Sequence, residues 1–267
     1  MNVAIKECVV EQPISKATLK AREKYEGKVF PTNQYGSVEV ILFSSSKSIL
    51  VRFVNTGYEA IVPLSRLVQG AIKDPLQVTY YGVGCLGKAQ YKGFDASKTF
   101  KLWKSVLARC YSRCTRYSEN TYKDCTVSSN FLNYNYFKEW CENQVGFGNK
   151  GWHLDKDLLV KGNKIYSPET CCFIPAEINS LLTTTNKRRG DTPLGVSKRQ
   201  KSGNYEVTLC RDNKDYHLGT YSCPVQAFNV YKEAKEDYFR SKAEKYKGKI
   251  SDEAYEALKN RKVEITD

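Results

Sequence analysis

Residues 151–182 read GWHLDKDLLVKGNKIYSPETCCFIPAEINSLL, and this stretch decides the fold of the chain's centre. Trp152, Leu154, Leu158 and Val160 set apolar positions around an acidic centre, Asp155-Lys156-Asp157. Gly162-Asn163 tolerates positive φ and marks a turn. Ser167-Pro168 breaks the chain again. Cys171 to Ile174 reads as a short buried strand. Pro175 fits the first turn of a helix, where its missing N–H is no loss, and Ala176 to Leu182 continues that helix. The expectation is a compact ββα unit, with carboxylates at the end of the first strand and the Asn179 amide one turn into the helix. Such oxygen donors suit one hard divalent cation, because Mg²⁺ takes few protein oxygens and leaves room for phosphate and water. The same residues also fit a surface hairpin with solvated charges, packed on a helix.

LDKDLL, the turn GNKIYSPETC and then FIPAEIN resemble the HNH (His-Me finger) nuclease motif of phage-borne, homing-endonuclease-like proteins. In that resemblance Asp155 falls on the acidic metal-ligand position and Asn179 on the helix ligand. Lys156 falls on the position of the general-base His, and Thr170 on that of the central Asn, so both depart from the pattern. Lysine is a poor base at neutral pH unless its pKa is strongly lowered. His153 lies two residues before Asp155 and shares a strand face with it. It is a second candidate base, or else an incidental strand histidine. The resemblance implies a metal-dependent DNA endonuclease. Asp155 and Asn179 would hold Mg²⁺ or Mn²⁺, with Lys156, His153 and Asp157 as the catalytic candidates. The departures equally fit a catalytically inactive, nuclease-derived DNA-binding protein acting as a repressor or recruiter.

Composition agrees with a polyanionic partner. Among 267 residues, 42 Lys and Arg stand against 29 Asp and Glu, a net charge of +13, and Tyr and Phe are plentiful. Such a chain points to nucleic acid, here double-stranded DNA. No run approaches the roughly 18–20 apolar residues of a membrane span, so no membrane partner is expected. MNVAIKECVVEQPIS lacks the basic start and long apolar core of a signal peptide. That points to a cytoplasm, the bacterial host's if the chain is phage-encoded. The ten cysteines are then expected to be reduced. Cys110 and Cys114 share a helical face, with Cys125 and Cys141 further on. The absence of any CxxC pair argues against structural Zn²⁺.

The expected class is α+β and multidomain. Residues 1–26 form an N-terminal arm, with helical character in Lys16 to Tyr25. Residues 27–84 hold short strands at Val38–Phe43, Ser48–Phe53 and Tyr58–Val62, which predict a small β-barrel. GKVFPTNQYG, VRFVNTGYEA and VQGAIKDP resemble a Tudor- or Src-homology-like barrel, whose role would be an extra DNA contact or a protein partner. Residues 99–182 hold the HNH-like unit. In it, Thr99 to Arg113 is an amphipathic helix with Lys101, Lys104 and Arg109 facing out, and a second helix runs from Ser129 to Asn143. The aromatics of that helix, Phe131, Tyr134, Phe137 and Trp140, are read as the support of a ββα unit too small to be stable alone. Lys187, Arg188 and Arg189 in the connector TTTNKRRGDT are placed to track phosphate, or are simply solvated.

Residues 193–246 predict three strands and a helix. Asn204 to Arg211 alternates strictly, Asp212-Asn213 turns, Lys214 to Tyr221 returns with Tyr216 and Leu218 inward, and Pro224 opens a long helix. PLGVSKRQKSGNYEVTL and YHLGTYSCPVQAFNVYKEAK resemble the Apetala/ethylene-response-factor domain, whose sheet reads DNA. The resemblance puts the outward sheet face, with Ser197, Lys198, Arg199, Lys201, Thr208, Cys210 and His217, against DNA, and only Arg199 keeps the family's arginine. Residues 247–267 add a C-terminal helix with Ser251 as its N-cap.

Overall fold

The computed structural model describes residues 15–88, 98–112, 122–183 and 192–265. It divides the chain into two units, Met1–Lys92 and Gly93–Asp267. The chain mixes helices with several small sheets.

In the first unit, helix α1 (Lys16–Tyr25) precedes strands β1 (Val29–Pro31), β2 (Ser37–Ser45), β3 (Ser48–Phe53) and β4 (Glu59–Val62), and α2 (Leu64–Val68) follows. The strands form an open antiparallel meander in sequence order. The expected barrel is therefore corrected to an open sheet. Its first strand has three residues and ends in Pro31, which has no N–H to donate to a ladder. Alternate residues Val38, Val40, Ile49, Val51 and Phe53 are buried on one face. Helix α1 covers that core with Ala21 and Tyr25. It is tied to β2 by Arg22 Nε donating to Phe43 O (3.1 Å) and by Phe43 N–H donating to Glu26 (2.7 Å).

The second unit opens with α3 (Lys98–Tyr111), whose Phe100, Trp103, Val106 and Leu107 are buried. Strand β5 (Thr126–Val127) follows. The helix expected over 129–143 is split into α4 (Ser129–Leu132) and α5 (Tyr134–Glu142). The break is at Asn133, whose backbone is extended and whose side chain accepts from the N–H groups of Asn135 and Tyr136. An Asn that caps a new helix outcompetes continuation of the old one. Next come β6 (Trp152–Asp155), β7 (Ile165–Tyr166), β8 (Cys172–Pro175) and α6 (Ala176–Leu182). Strands β6 and β8 pair antiparallel, with Asp155 opposite Cys172. With α6 they make the ββα unit. Strand β7 pairs in parallel with β5. The aromatics of α4 and α5 hold this unit as anticipated: Trp140 packs on Phe173 of β8, and Trp103 donates its indole N–H to Phe131 O (2.7 Å).

Strands β9 (Val196–Lys198), β10 (Tyr205–Arg211) and β11 (Lys214–Tyr221) form an antiparallel sheet with β10 in the middle. Asp212 and Asn213 both have positive φ, 48° and 61°, which matches the twist of a two-residue hairpin turn. Tyr216 lies opposite buried Leu209, yet the edge position of β11 leaves it 48% exposed rather than inward. Helix α7 (Pro224–Tyr246) packs on the sheet, and α8 (Asp252–Lys259), capped by Ser251, folds back on α7. Gly195 has positive φ, and a Cβ there would overlap the Tyr231 ring, so the β9 approach to α7 requires glycine.

One apolar core joins the ββα unit to this module. Leu158, Ile174, Ile178 and Leu181 are buried together with Val207, Leu209, Phe228, Tyr231, Phe239 and Leu258. The stretch outside the described residues between 183 and 192 thus separates two segments that share one core. Polar contacts reinforce the junction. Glu177 of α6 receives Lys242 (3.1 Å) and Lys245 (2.7 Å) of α7. Although burial opposes it, hydrogen bonds from Lys245, Tyr246 and Lys242 hold the Glu177 carboxyl down at about 2. Among the described residues no helix is long and apolar enough to cross a membrane.

Candidate active site and nucleic-acid surface

Asp155 ends β6 and is 7% exposed. Its Oδ2 accepts the N–H of Asp157 at 2.8 Å, which turns the chain out of the strand. Burial pushes the Asp155 carboxyl above its usual range. The Asp157 N–H and the charges of Lys156 and Arg261 oppose that rise without cancelling it. His153, two residues earlier on β6, is exposed and pairs across the sheet with Ile174. Asn179, half-buried on α6, lines the same cleft as His153 and Asp155. His153 and Asp155 from a strand and Asn179 from a helix thus line one cleft.

Lys156 turns inward. Its ammonium donates to both carboxylate oxygens of Asp157 (2.7 and 2.8 Å) and to Asn163 O (2.8 Å), and it lies over the Tyr166 ring. These three contacts tie the loop to the end of β6. Asp157 is engaged by Lys156 and remains partly exposed.

The residue that shapes the loop is Asn163, whose side-chain bonds go beyond its place in the Gly162-Asn163 turn. Its Nδ2 donates to Lys156 O (2.8 Å) and Ile165 O (2.7 Å), and its Oδ1 accepts from Ile165 N–H (3.1 Å). Thr170, placed by resemblance on the central Asn position, instead braces the next turn by donating to Ile165 O (2.8 Å). The signal for Asn163 was present in the dipeptide Gly-Asn, since an Asn side chain bonds readily to nearby backbone.

The cleft has a volume of about 790 Å³, and its walls are cationic. Arg109, expected to face solvent, is half-buried there, donates to Tyr166 Oη (3.2 Å) and stacks over Tyr122. The C-terminal tail supplies Arg261, whose Nη1 donates to Asp157 O (3.2 Å), and Lys262, whose carbonyl accepts from Lys161 (3.2 Å). Lys235 of α7 also lines the cleft, and burial pushes its ammonium down to about 8. No periodicity marks these contributions, because the residues come from elements far apart in sequence.

His217 is exposed on β11, while Arg199 and Lys201, expected on the outward sheet face, are exposed in the turn that joins β9 to β10. Arg199 makes two bonds to the Glu206 carboxylate (3.0 and 2.9 Å), and His217 Nδ1 lies 3.2 Å from the same group. Those bonds from Arg199 hold the Glu206 carboxyl below its usual range. Thr208 lies opposite His217, and Lys198 sits over the Tyr205 ring. Lys187, Arg188 and Arg189 lie outside the described residues, as does Cys114. Burial raises the Cys110 and Cys171 thiols to about 12. Among the described residues no group of three or more His, Cys, Asp or Glu is placed to hold a metal ion. Comparison with protein-family models, with curated proteins and with solved structures finds no match for the chain.

Proposed function

We propose that the protein is a DNA-binding, HNH-like endonuclease that hydrolyses phosphodiesters with a divalent metal. The observation that supports this reading is that Asp155, His153 and Asn179 all line one cleft whose walls also carry cationic side chains. The Asp155 carboxylate and the Asn179 amide oxygen are hard donors that fit Mg²⁺ or Mn²⁺. A cation bound there supplies Lewis-acid stabilisation of charge on the phosphate and the leaving oxygen. His153 takes the proton of the attacking water, being the exposed imidazole on the Asp155 face of β6. Lys156 is a positioning residue in this account: it fixes Asp157 and the loop that Asn163 closes. The three-stranded sheet provides the second DNA contact through Thr208 and His217 and through Arg199 and Lys201 of its β9–β10 turn, with Lys187, Arg188 and Arg189 of the connector tracking phosphate.

One observation favours a second reading, a DNA-binding protein that no longer cleaves. The motif's histidine position holds Lys156, whose ammonium is committed to Asp157 and Asn163. Incubation of the purified protein with duplex DNA and Mg²⁺ or Mn²⁺, beside a binding titration, separates the two. Cleavage supports the first reading, and binding without cleavage the second. The role of the N-terminal open sheet as a DNA or protein contact belongs to the same proposal.

A further inference from the structure

The cleft that holds Asp155 is lined by apolar as well as charged residues. Leu102 of α3, Trp152 of β6, Leu182 of α6 and Leu194 all line it and are only half-buried. Trp152, Leu182 and Leu194 rest on the core that joins the ββα unit to the three-stranded sheet. The place of the Trp152 ring depends on a glycine. Gly146, with φ 86°, lies so close that a Cβ there would come within 2.2 Å of the indole Cε3 and Cζ3. Among the described residues the indole N–H has no acceptor, and no aromatic ring stacks on the indole. A buried tryptophan N–H usually finds a partner.

Lys235 of α7 is a second donor in the cleft wall without an acceptor. It is half-buried, with its ammonium 5.4 Å from the centre of the Phe239 ring. Among the described residues no carboxylate or carbonyl receives it. The buried lysines of this unit differ: Lys156 donates to Asp157, and Lys242 to Asp212. An ammonium partly taken from water without an acceptor costs free energy, which a ligand's acceptor atom offsets. The occupant that fits has a flat apolar face for the indole and acceptor atoms for these donors. The cleft volume of about 790 Å³ falls in the range of about 300–1,000 Å³ that takes one small ligand. Stacked duplex DNA, whose major groove alone is about 12 Å wide, does not enter such a space, whereas one nucleotide drawn out of the stack does.

We propose that the cleft takes one unstacked nucleobase of DNA, with the Trp152 ring as its stacking platform and Lys235 as a donor to the same nucleotide. The inference rests on the DNA-binding reading above and adds the form in which DNA enters the cleft. The base comes from a single strand or from a duplex position where pairing is weak, because unpairing costs least there.

The test titrates the full-length protein, without divalent cation, against three labelled DNAs of one sequence: the paired duplex, the duplex with one mismatched thymine, and the single strand. The wild type is expected to bind the mismatched duplex roughly tenfold more tightly than the paired one, because the mismatch spares most of the unpairing cost. Trp152→Leu should lose that preference and keep the affinity for paired duplex. Trp152→Phe should keep the preference, as should Tyr136→Leu, which removes an exposed aromatic outside the cleft. Equal affinity of the wild type for the two duplexes overturns the proposal while leaving DNA binding intact. A folded Trp152→Leu that retains the preference, or a Tyr136→Leu that loses it, also overturns it. A second measurement needs no variant: 5-iodouracil replaces the mismatched thymine, or the same base in the single strand, and ultraviolet light crosslinks it to an adjacent aromatic ring. The crosslink is expected in the tryptic peptide of residues 151–156, and the DNA that yields it identifies the source of the base. A crosslink that maps elsewhere, or none from bound DNA, overturns the proposal even where Trp152→Leu fails to fold. A wild-type protein that binds none of the three DNAs removes the DNA reading itself, and the proposal with it.

Discussion

Lys156 and Asn163 bind each other twice: the Lys156 ammonium donates to Asn163 O, and the Asn163 amide donates to Lys156 O, each at 2.8 Å. This reciprocal pair closes the loop that leaves β6 and sets the backbone at Asp155 and Asp157. Asn163→Ala should therefore destabilise the second unit by about 2 kcal/mol, since it removes three hydrogen bonds of modest net worth, although Ile165 O keeps the bond from Thr170. Denaturant unfolding checks this. Asn163→Asp should be worse, because a carboxylate faces Lys156 O and Ile165 O where an NH₂ donated.

Asp155→Asn should raise thermal stability at neutral pH. Burial raises the Asp155 pKa above its ordinary 3.8, so the folded state holds the proton more tightly than the unfolded chain. Stability from this group is present at low pH and is lost as pH rises through that window, and the cost persists at pH 7. Asparagine removes the cost and still accepts the Asp157 N–H. The melting-temperature gain of the variant should be larger at pH 7 than at acid pH. Added Mg²⁺ should stabilise the wild type and not the variant.

DNA affinity should fall as pH rises through about 8, because Lys235 loses its proton there. A phosphate near Lys235 favours the charged form, so binding takes up a proton just above that pH. The groups that act on Lys235 are Arg261, which lowers its pKa, and Cys210, which raises it. Lys235→Met should flatten the pH dependence between pH 7 and 9, read by titration in buffers of different ionisation enthalpy.

Arg199→Ala should change stability little, because exposed ion pairs contribute about 0–1 kcal/mol. It should weaken DNA binding by about 1–3 kcal/mol if Arg199 reads a base edge. Glu206→Gln should have the opposite sign, since it removes a carboxylate from the sheet face and releases Arg199. Fluorescence titration with the same duplex compares the two. Unchanged binding in both variants would move the reader away from this sheet.

Local chemistry was legible in the sequence wherever neighbours in the chain decided it. Strict alternation over Tyr205–Arg211, the Asp212-Asn213 turn and the Pro224 helix start all appear in the fold. So does the ββα unit, with Asp155 and Asn179 on its strand and helix. What was not legible depends on distant partners. Arg109 looked solvated by helical phase, yet Tyr166 and Tyr122 draw it into the cleft. Arg261 sat in a tail with no pattern. The open sheet of the first unit was read as a barrel, because strand spacing alone does not reveal whether the first and last strands meet. Lys156 stands at the motif's base position, and its bonds to Asp157 and Asn163 are visible only in the fold.

The central claim is that the cleft around Asp155 hydrolyses DNA with a divalent metal. The most direct measurement is single-turnover cleavage of duplex DNA by the wild type and by Asp155→Asn, with Mg²⁺ and with Mn²⁺, at protein concentrations that saturate binding. The account predicts strand cleavage by the wild type, and cleavage at background in Asp155→Asn with its DNA affinity largely retained, because phosphate contacts elsewhere carry most of the binding. Wild-type protein that binds the duplex and leaves every strand intact with both metals contradicts it, as does an Asp155→Asn variant that cleaves at the wild-type rate.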